Sequence, residues 1–203
     1  MILGGTFWLV LFVTTVVYWV LPTRLRAPFL ALASFAYLST IDLFSCVALA
    51  GLGLSVFAVS HSVAIGRIPR VATSVVVVGI ILFLGYFKYL PIITGDLLIP
   101  LGISYYSFKL IHYTVEVSRG NVRTRSLELF LAYLFFFPIF TAGPIERYDH
   151  FLVNRGTSLQ WSTFAEGLIR IGHGLIKKFV IGFVLLRLLT TNYGNLSDVL
   201  MEL

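Results

Sequence analysis

"FFFPIFTAGPIERYDHF", Phe135 to Phe151, carries a conflict that the fold has to resolve. An apolar run meets Pro138, continues to Ala142, and breaks again at Gly143-Pro144; Glu146, Arg147, Asp149 and His150 then follow almost at once. The apolar part, from Leu127 to Ala142, falls short of the roughly 20 residues that cross a hydrocarbon layer as one helix. Pro138 has no N–H to donate and frees the carbonyl of Leu134, and Gly143-Pro144 ends any helix. Backbone groups freed at membrane depth are tolerated only where they are buried in protein or line a wet cavity. Two readings follow. The stretch is either a short segment that enters the membrane and stops, delivering its charges to a cavity, or a proline-kinked helix ending at the interface with its charges solvated.

The rest of the chain supplies the membrane. Of 203 residues, 58% are hydrophobic and only 12% charged, and the mean hydropathy is +0.94. Soluble domains are nearer 45–50% apolar and about a quarter charged, so lipid must be the solvent for much of this surface. The net charge of +6 does not indicate nucleic acid, because the basic residues sit in short breaks between apolar runs, where charges set membrane orientation. Cys46 is the one cysteine, which excludes an internal disulfide or a cysteine zinc site. No metal-ligand spacing appears, and no basic region precedes the first apolar run, which argues against a cleaved signal peptide.

The spans read as follows. Gly4 to Leu21 is uncharged and closes at Pro22 with Arg24 and Arg26. Ala27 to Gly66 is too long for one helix and divides at Ser39-Thr40-Ile41-Asp42, which supplies turn-forming and capping residues. Arg67-Ile68-Pro69-Arg70 makes a basic turn, and Val71 to Tyr89 is a further span, ended by Pro91. Pro100 opens a helix to about Arg119, Leu127 to Ala142 follows, and Leu168 to Leu189 is the last long helix. The fold class is therefore all-α: a polytopic integral membrane protein of about six hydrophobic segments, some short, re-entrant or interfacial, in a single domain over 1–203. The basic clusters at 24–26, 67–70 and 119–125 fall at alternate segment ends, which places the N-terminus outside.

The helix after Pro100 reads "PLGISYYSFKLIHYTVEVSRG". At 100° per residue, Tyr105, Lys109, His112, Glu116 and Arg119 share an arc of about 80°. A charge at the bilayer centre costs about 2.5–3.5 kcal/mol on insertion scales, so this stripe should face protein or water. Lys109 and His112 are three apart and His112 and Glu116 four apart, the separations at which helical side chains meet. The stripe is either a wall of a hydrophilic tunnel or a structural lock in which Lys109 and Glu116 neutralise each other through His112 or neighbouring helices. In the last helix Arg170, His173 and Lys177 share a face that suits anionic lipid, and Gly172 and Gly174 would admit a close neighbour. His61 and His150 have no evident partner. No catalytic constellation is assembled by the sequence alone.

Taken together, "PLGISYYSFKLIHYTVEVSRG", "FFFPIFTAGPIERYDHF" and "GLIKKFVIG" resemble the membrane-bound O-acyltransferase family, in the bacterial branch of alginate O-acetyltransferases and teichoic acid D-alanyl transferases. The resemblance is strongest over 84–182; "FVLLRLL" departs from the pattern. It implies transfer of an acyl group, acetyl or similar, from a thioester donor (acyl-CoA or an acyl carrier protein) to a hydroxyl of a cell-envelope polysaccharide or lipid-linked acceptor. It further implies the bacterial inner membrane and a histidine base at the centre of a tunnel, since an alcohol is a poor nucleophile at neutral pH. Tyr105, Lys109, His112, Glu116, Gly143, Pro144, Glu146 and Arg147 become candidates for the tunnel walls. The family's catalytic histidine belongs to a C-terminal half, and no histidine here sits in a matching motif. The expectation is an N-terminal portion, inactive alone, with no bound cofactor or metal, whose partners are the bilayer and either an acyl carrier protein or that C-terminal half. A small transporter or channel subunit, and a non-catalytic membrane partner of an acyl-carrier system, are the competing readings.

Overall fold

The computed structural model describes residues 5–94, 100, 102–122, 124–140, 146–154 and 160–193. Among them every regular element is helical. The contacts divide the chain into two compact units, residues 1–156 and 157–203.

In the first unit, α1 (Gly5–Val20) and α2 (Thr23–Ser39) are separated only by Leu21 and Pro22. Pro22 is extended, at φ −60° and ψ 147°, and so makes the break by itself. Arg24 and Arg26 therefore lie inside the first turns of α2 rather than in a loop, and α2 is a 17-residue helix. The division before α3 (Leu43–Ala64) falls where the capping residues put it. Asp42 accepts from the Ser45 N–H at 3.1 Å and from the Ser45 hydroxyl, satisfying donors that the helix start leaves open. These bonds, the hydroxyl's first, hold the Asp42 carboxyl below its ordinary value.

Next, α4 (Val71–Thr94) continues through Pro91, past the expected end at Tyr89. One proline removes one backbone bond, which need not end a helix already carried through several turns. Together α3 and the Val71–Tyr89 part of α4 are two helices long and apolar enough to cross a membrane. The start of α5 (Ile103–Ser118) is set by Gly102, at φ 72°. A Cβ there would lie 2.9 Å from the Phe140 carbonyl oxygen, so both conformation and space require glycine. Then come α6 (Leu127–Phe135), a 3₁₀ turn (Phe137–Ile139) and α7 (Tyr148–Asn154).

α6 packs mainly on α2, and α5 lies against both α3 and α4. The α3–α5 contact is close at Gly53, where a Cβ would meet Leu134 Cδ2 at 2.6 Å and Tyr106 Oη at 2.8 Å. Tyr106 uses that approach to donate to Leu49 O at 2.6 Å. The aromatic run of the opening stretch fills the centre: Phe135 meets Phe35 and Tyr106, and Phe137 meets Phe7 and Tyr37, with centroids 5.2–5.9 Å apart. The three basic turns gather at one end. Arg24 and Arg26 share a cavity with Thr124 and Ser126, and Arg70 shares another with Arg125.

The second unit holds α8 (Trp161–Ile176), a π-helical turn (Lys177–Ile181) and α9 (Gly182–Tyr193) in unbroken succession. The helix begins seven residues before the expected Leu168, because the isolated Gly167 is tolerated within it.

A lysine-capped helix break as candidate functional site

Pro138 was expected to free the Leu134 carbonyl, in a segment that either stops or continues as a kinked helix. α6 stops at Phe135, and Phe136 leaves the helix at φ −50°, ψ 98°. A helix end leaves its last carbonyls without partners, and this end is buried: Leu134 and Tyr133 are fully inaccessible. Lys109, itself fully buried, supplies the missing donors. Its Nζ donates to Tyr133 O and, at 3.4 Å, to Leu134 O. The ammonium also lies 4.3 Å from the Tyr133 ring centre and 5.4 Å from that of Tyr105, where the negative ring faces attract a cation. On the far side of the break, the Phe137 N–H reaches the buried Ser34 hydroxyl at 3.5 Å. The backbone opened by the proline is thus closed by side chains from α5 and α2.

Of the two readings of the stripe, tunnel wall or lock through His112 or neighbouring helices, the Lys109–Glu116 pairing of the second does not form, although a neighbouring helix does hold Lys109. Lys109 is not neutralised by Glu116 through His112. Glu116 pairs instead with Arg119 at 3.2 Å and accepts from Asn121 at 2.7 Å, at the end of the helix. His112 is half-buried, and its Nδ1 has no hydrogen-bond partner among the described residues. A shared helical arc fixes direction, but the neighbours at each depth differ, so the stripe does not act as one surface.

Glu146 and Arg147 separate in the same way. The Glu146 carbonyl accepts from Tyr133 Oη at 2.9 Å, which ties the segment after the break back onto α6. Its carboxylate pairs with His150 Nδ1, so His150 does have a partner. The spacing of four residues was the available signal. Glu146 borders a mainly apolar cleft of about 420 Å³ between α1, α2 and the 3₁₀ turn. Arg147 is exposed and pairs with Asp149 at 3.4 Å. Gly143 and Pro144 lie outside the described residues. His61, also without an expected partner, stacks on Phe57 at 5.9 Å. Among the described residues no group of acidic, histidine and cysteine side chains is placed to hold a metal.

The first two of the three sequence blocks that carry the family resemblance are therefore joined in space, through Gly102 and Phe140, Tyr106 and Phe135, and Lys109 and the end of α6 just before the second block. A probable alginate O-acetylase of Azotobacter vinelandii is 31% identical over an alignment covering 81% of this chain and 38% of that protein. The corresponding protein of Pseudomonas aeruginosa is 32% identical, covering 58% and 27%. A teichoic acid D-alanyltransferase of Lacticaseibacillus rhamnosus is 28% identical, covering 48% and 25%. No family model matches, and no solved structure does. The chain spans well under half the length of these curated relatives.

The class of protein that emerges is a helical relative of membrane acyl-group transferases. More narrowly, the chain is similar over part of its length to alginate O-acetylases and teichoic acid D-alanyltransferases, which are members of the membrane-bound O-acyltransferase family.

Proposed function

We propose that this chain forms part of an O-acyltransferase that moves an acetyl or similar acyl group from a thioester donor to a hydroxyl of a cell-envelope polysaccharide or lipid-linked acceptor. The observation that carries the reading is the Lys109-capped break. A buried ammonium inside an apolar bundle is costly, and here it satisfies the carbonyls of a non-helical backbone turn, which membrane depth tolerates only where protein buries it or a cavity borders it. Tyr105, Lys109, His112, Glu116, Glu146 and Arg147, with Gly143 and Pro144, are the proposed walls of the acyl route. Lys109 and Tyr133 position its backbone rather than take part in proton transfer.

The base belongs elsewhere in the complete enzyme. None of the four histidines stands in a constellation suited to deprotonating a hydroxyl: His61 stacks on Phe57, His150 pairs with Glu146, His112 is held on α5, and His173 lies on α8. We accordingly expect the 203-residue chain to be inactive alone and to need a C-terminal part bearing the histidine. The proposed topology has about six segments, the Leu127–Ile139 stretch re-entrant, in a bacterial inner membrane. The end that gathers Arg24, Arg26, Arg70 and Arg125 faces the cytoplasm and the N-terminus lies outside. Acyl-CoA or an acyl carrier protein would deliver the donor at the cytoplasmic end.

The test is acyl transfer from a radiolabelled acetyl thioester, measured for the purified chain alone and when co-expressed with the remaining portion of a related acyltransferase. Turnover is expected only in the second case, and it should fall when Lys109 is replaced. Turnover by the chain alone would refute the assignment of the base.

A further inference from the structure

We infer that this chain binds one diacyl aminophospholipid specifically, its headgroup seated between the end of α1, the start of α2 and the start of α6. The cavity there measures about 530 Å³, and its polar wall includes Arg24, Arg26, Ser126 and Glu128. Arg26 is already held in place: its Nε donates to Leu21 O at 3.1 Å, and its guanidinium lies 5.2 Å from the Tyr18 ring centre and 5.0 Å from that of Trp19. Among the described residues neither arginine is in an ion pair. Two uncompensated guanidinium groups with a hydroxyl beside them suit the oxygens of a phosphate diester. Glu128 supplies the one negative charge of the wall. It opposes a purely anionic head, whereas a head with an ammonium next to its phosphate satisfies both signs.

The shape around the cavity selects two chains. The apolar cleft of about 420 Å³ shares Tyr18, Leu30 and Phe151 with the headgroup cavity and leads toward α1. A second apolar groove, about 320 Å³, shares Glu128 and is walled by α2, α3 and α6 through residues such as Phe35, Leu54 and Leu131. A polar chamber that opens into two apolar grooves matches a diacyl lipid, and a single-chain amphiphile would leave one groove empty. Tyr18 lines the chamber and Trp19 stacks against its Arg26, as aromatic side chains do at the headgroup level of a bilayer. The inference does not depend on the acyl-transfer reading.

Thermal unfolding of the full chain, purified in detergent and stripped of lipid, tests it. Diacyl phosphatidylethanolamine is expected to raise the melting temperature saturably, above the effect of diacyl phosphatidylglycerol or of lysophosphatidylethanolamine. Arg24→Gln and Arg26→Gln should each weaken the apparent lipid affinity about five-fold, the usual effect of one basic side chain at a lipid surface. Glu128→Gln, at an exposed position, should leave the fold intact and abolish the preference for phosphatidylethanolamine over phosphatidylglycerol. Equal stabilisation by the two diacyl lipids would overturn the inference, as would equal stabilisation by the single-chain lipid. Displacement of bound lipid by coenzyme A at equal concentration would also overturn it, and would assign the arginines to a donor phosphate.

Discussion

α5 and α8 are both 16 residues long, and both present basic residues along one side of an apolar sequence. They end in opposite states. In α5 the basic residue at the centre of the stripe is fully buried, and its hydrogen bonds go to another helix's carbonyls. In α8 the stripe is exposed: Arg170 pairs with Glu166 four residues back at 2.6 Å, and Trp161, Leu168 and Ile171 are exposed as well. The charge pattern alone does not separate these outcomes. What separates them is whether another element brings unsatisfied backbone groups to the stripe, as α6 does to α5.

The sharpest way to break this comparison is to remove one basic residue from each helix. Lys109→Ala leaves two buried carbonyls without donors, at about 1–3 kcal/mol each, and adds a void beside Tyr133. The expected loss is several kcal/mol, enough to prevent accumulation of folded chain. Arg170→Ala should stay within about 0.5 kcal/mol, as exposed substitutions do. Thermal unfolding in detergent reads both, and equal effects would mean that Lys109 does not cap the break. Lys109→Met is a useful companion, since it fills the space without restoring the donors.

Glycines give the second contrast. Gly53→Val places its Cβ against Leu134 and Tyr106, and overpacking of this kind costs about 1–3 kcal/mol. It should also disturb the Tyr106–Leu49 bond between α5 and α3. At Gly172 in α8 nothing lies within 4 Å of an added Cβ, so Gly172→Ala should stabilise the helix by about 0.5–1 kcal/mol. If Gly172→Ala instead destabilises the chain, α8 is packed against a partner.

Much of this architecture was legible in the sequence, and the reasons differ by feature. The α2–α3 division could be read because Asp42 and Ser45 are three residues apart and a helix cap is a local device. The break near Pro138 was legible because the loss of an N–H is intrinsic to proline. The joining of Lys109 to Tyr133 and Leu134 was not, since it bridges 24 and 25 positions and periodicity carries no information at that separation. The candidate pairing of Lys109 with Glu116 failed for the same reason: a helical arc gives direction and leaves the facing atoms unspecified. The Glu146–His150 pair lay within reach of the four-residue rule, but it crosses the start of α7, where no continuous helix was expected.

Helix starts provide a smaller contrast. Asp42 caps α3 through Ser45, whereas Gln160 before α8 makes no side-chain cap bond. Asp42→Ala should therefore cost about 1 kcal/mol, and Gln160→Ala almost nothing. Because folding lowers the Asp42 carboxyl below its ordinary value, its contribution is fully present above that value and is lost as the pH falls through the folded one. Acid titration of the melting temperature should show this loss below about pH 4, and Asp42→Ala should flatten that limb of the curve. A limb that persists unchanged would assign it to other carboxylates.

The smallest effect tests whether the α8 stripe has any structural role. Glu166 precedes Arg170 by four residues, the better order for a helical ion pair, and both side chains are well exposed. Solvent screening then limits their coupling to about 0.3–0.5 kcal/mol. A double-mutant cycle of Glu166→Gln and Arg170→Gln in thermal unfolding should give a term of that size that vanishes at high salt, because exposed charges are screened. A coupling above about 1 kcal/mol, or one insensitive to salt, would mean that the pair is removed from water in the folded protein. The stripe of α8 would then be of the same kind as that of α5, and the difference between the helices would lie only in which partner covers them.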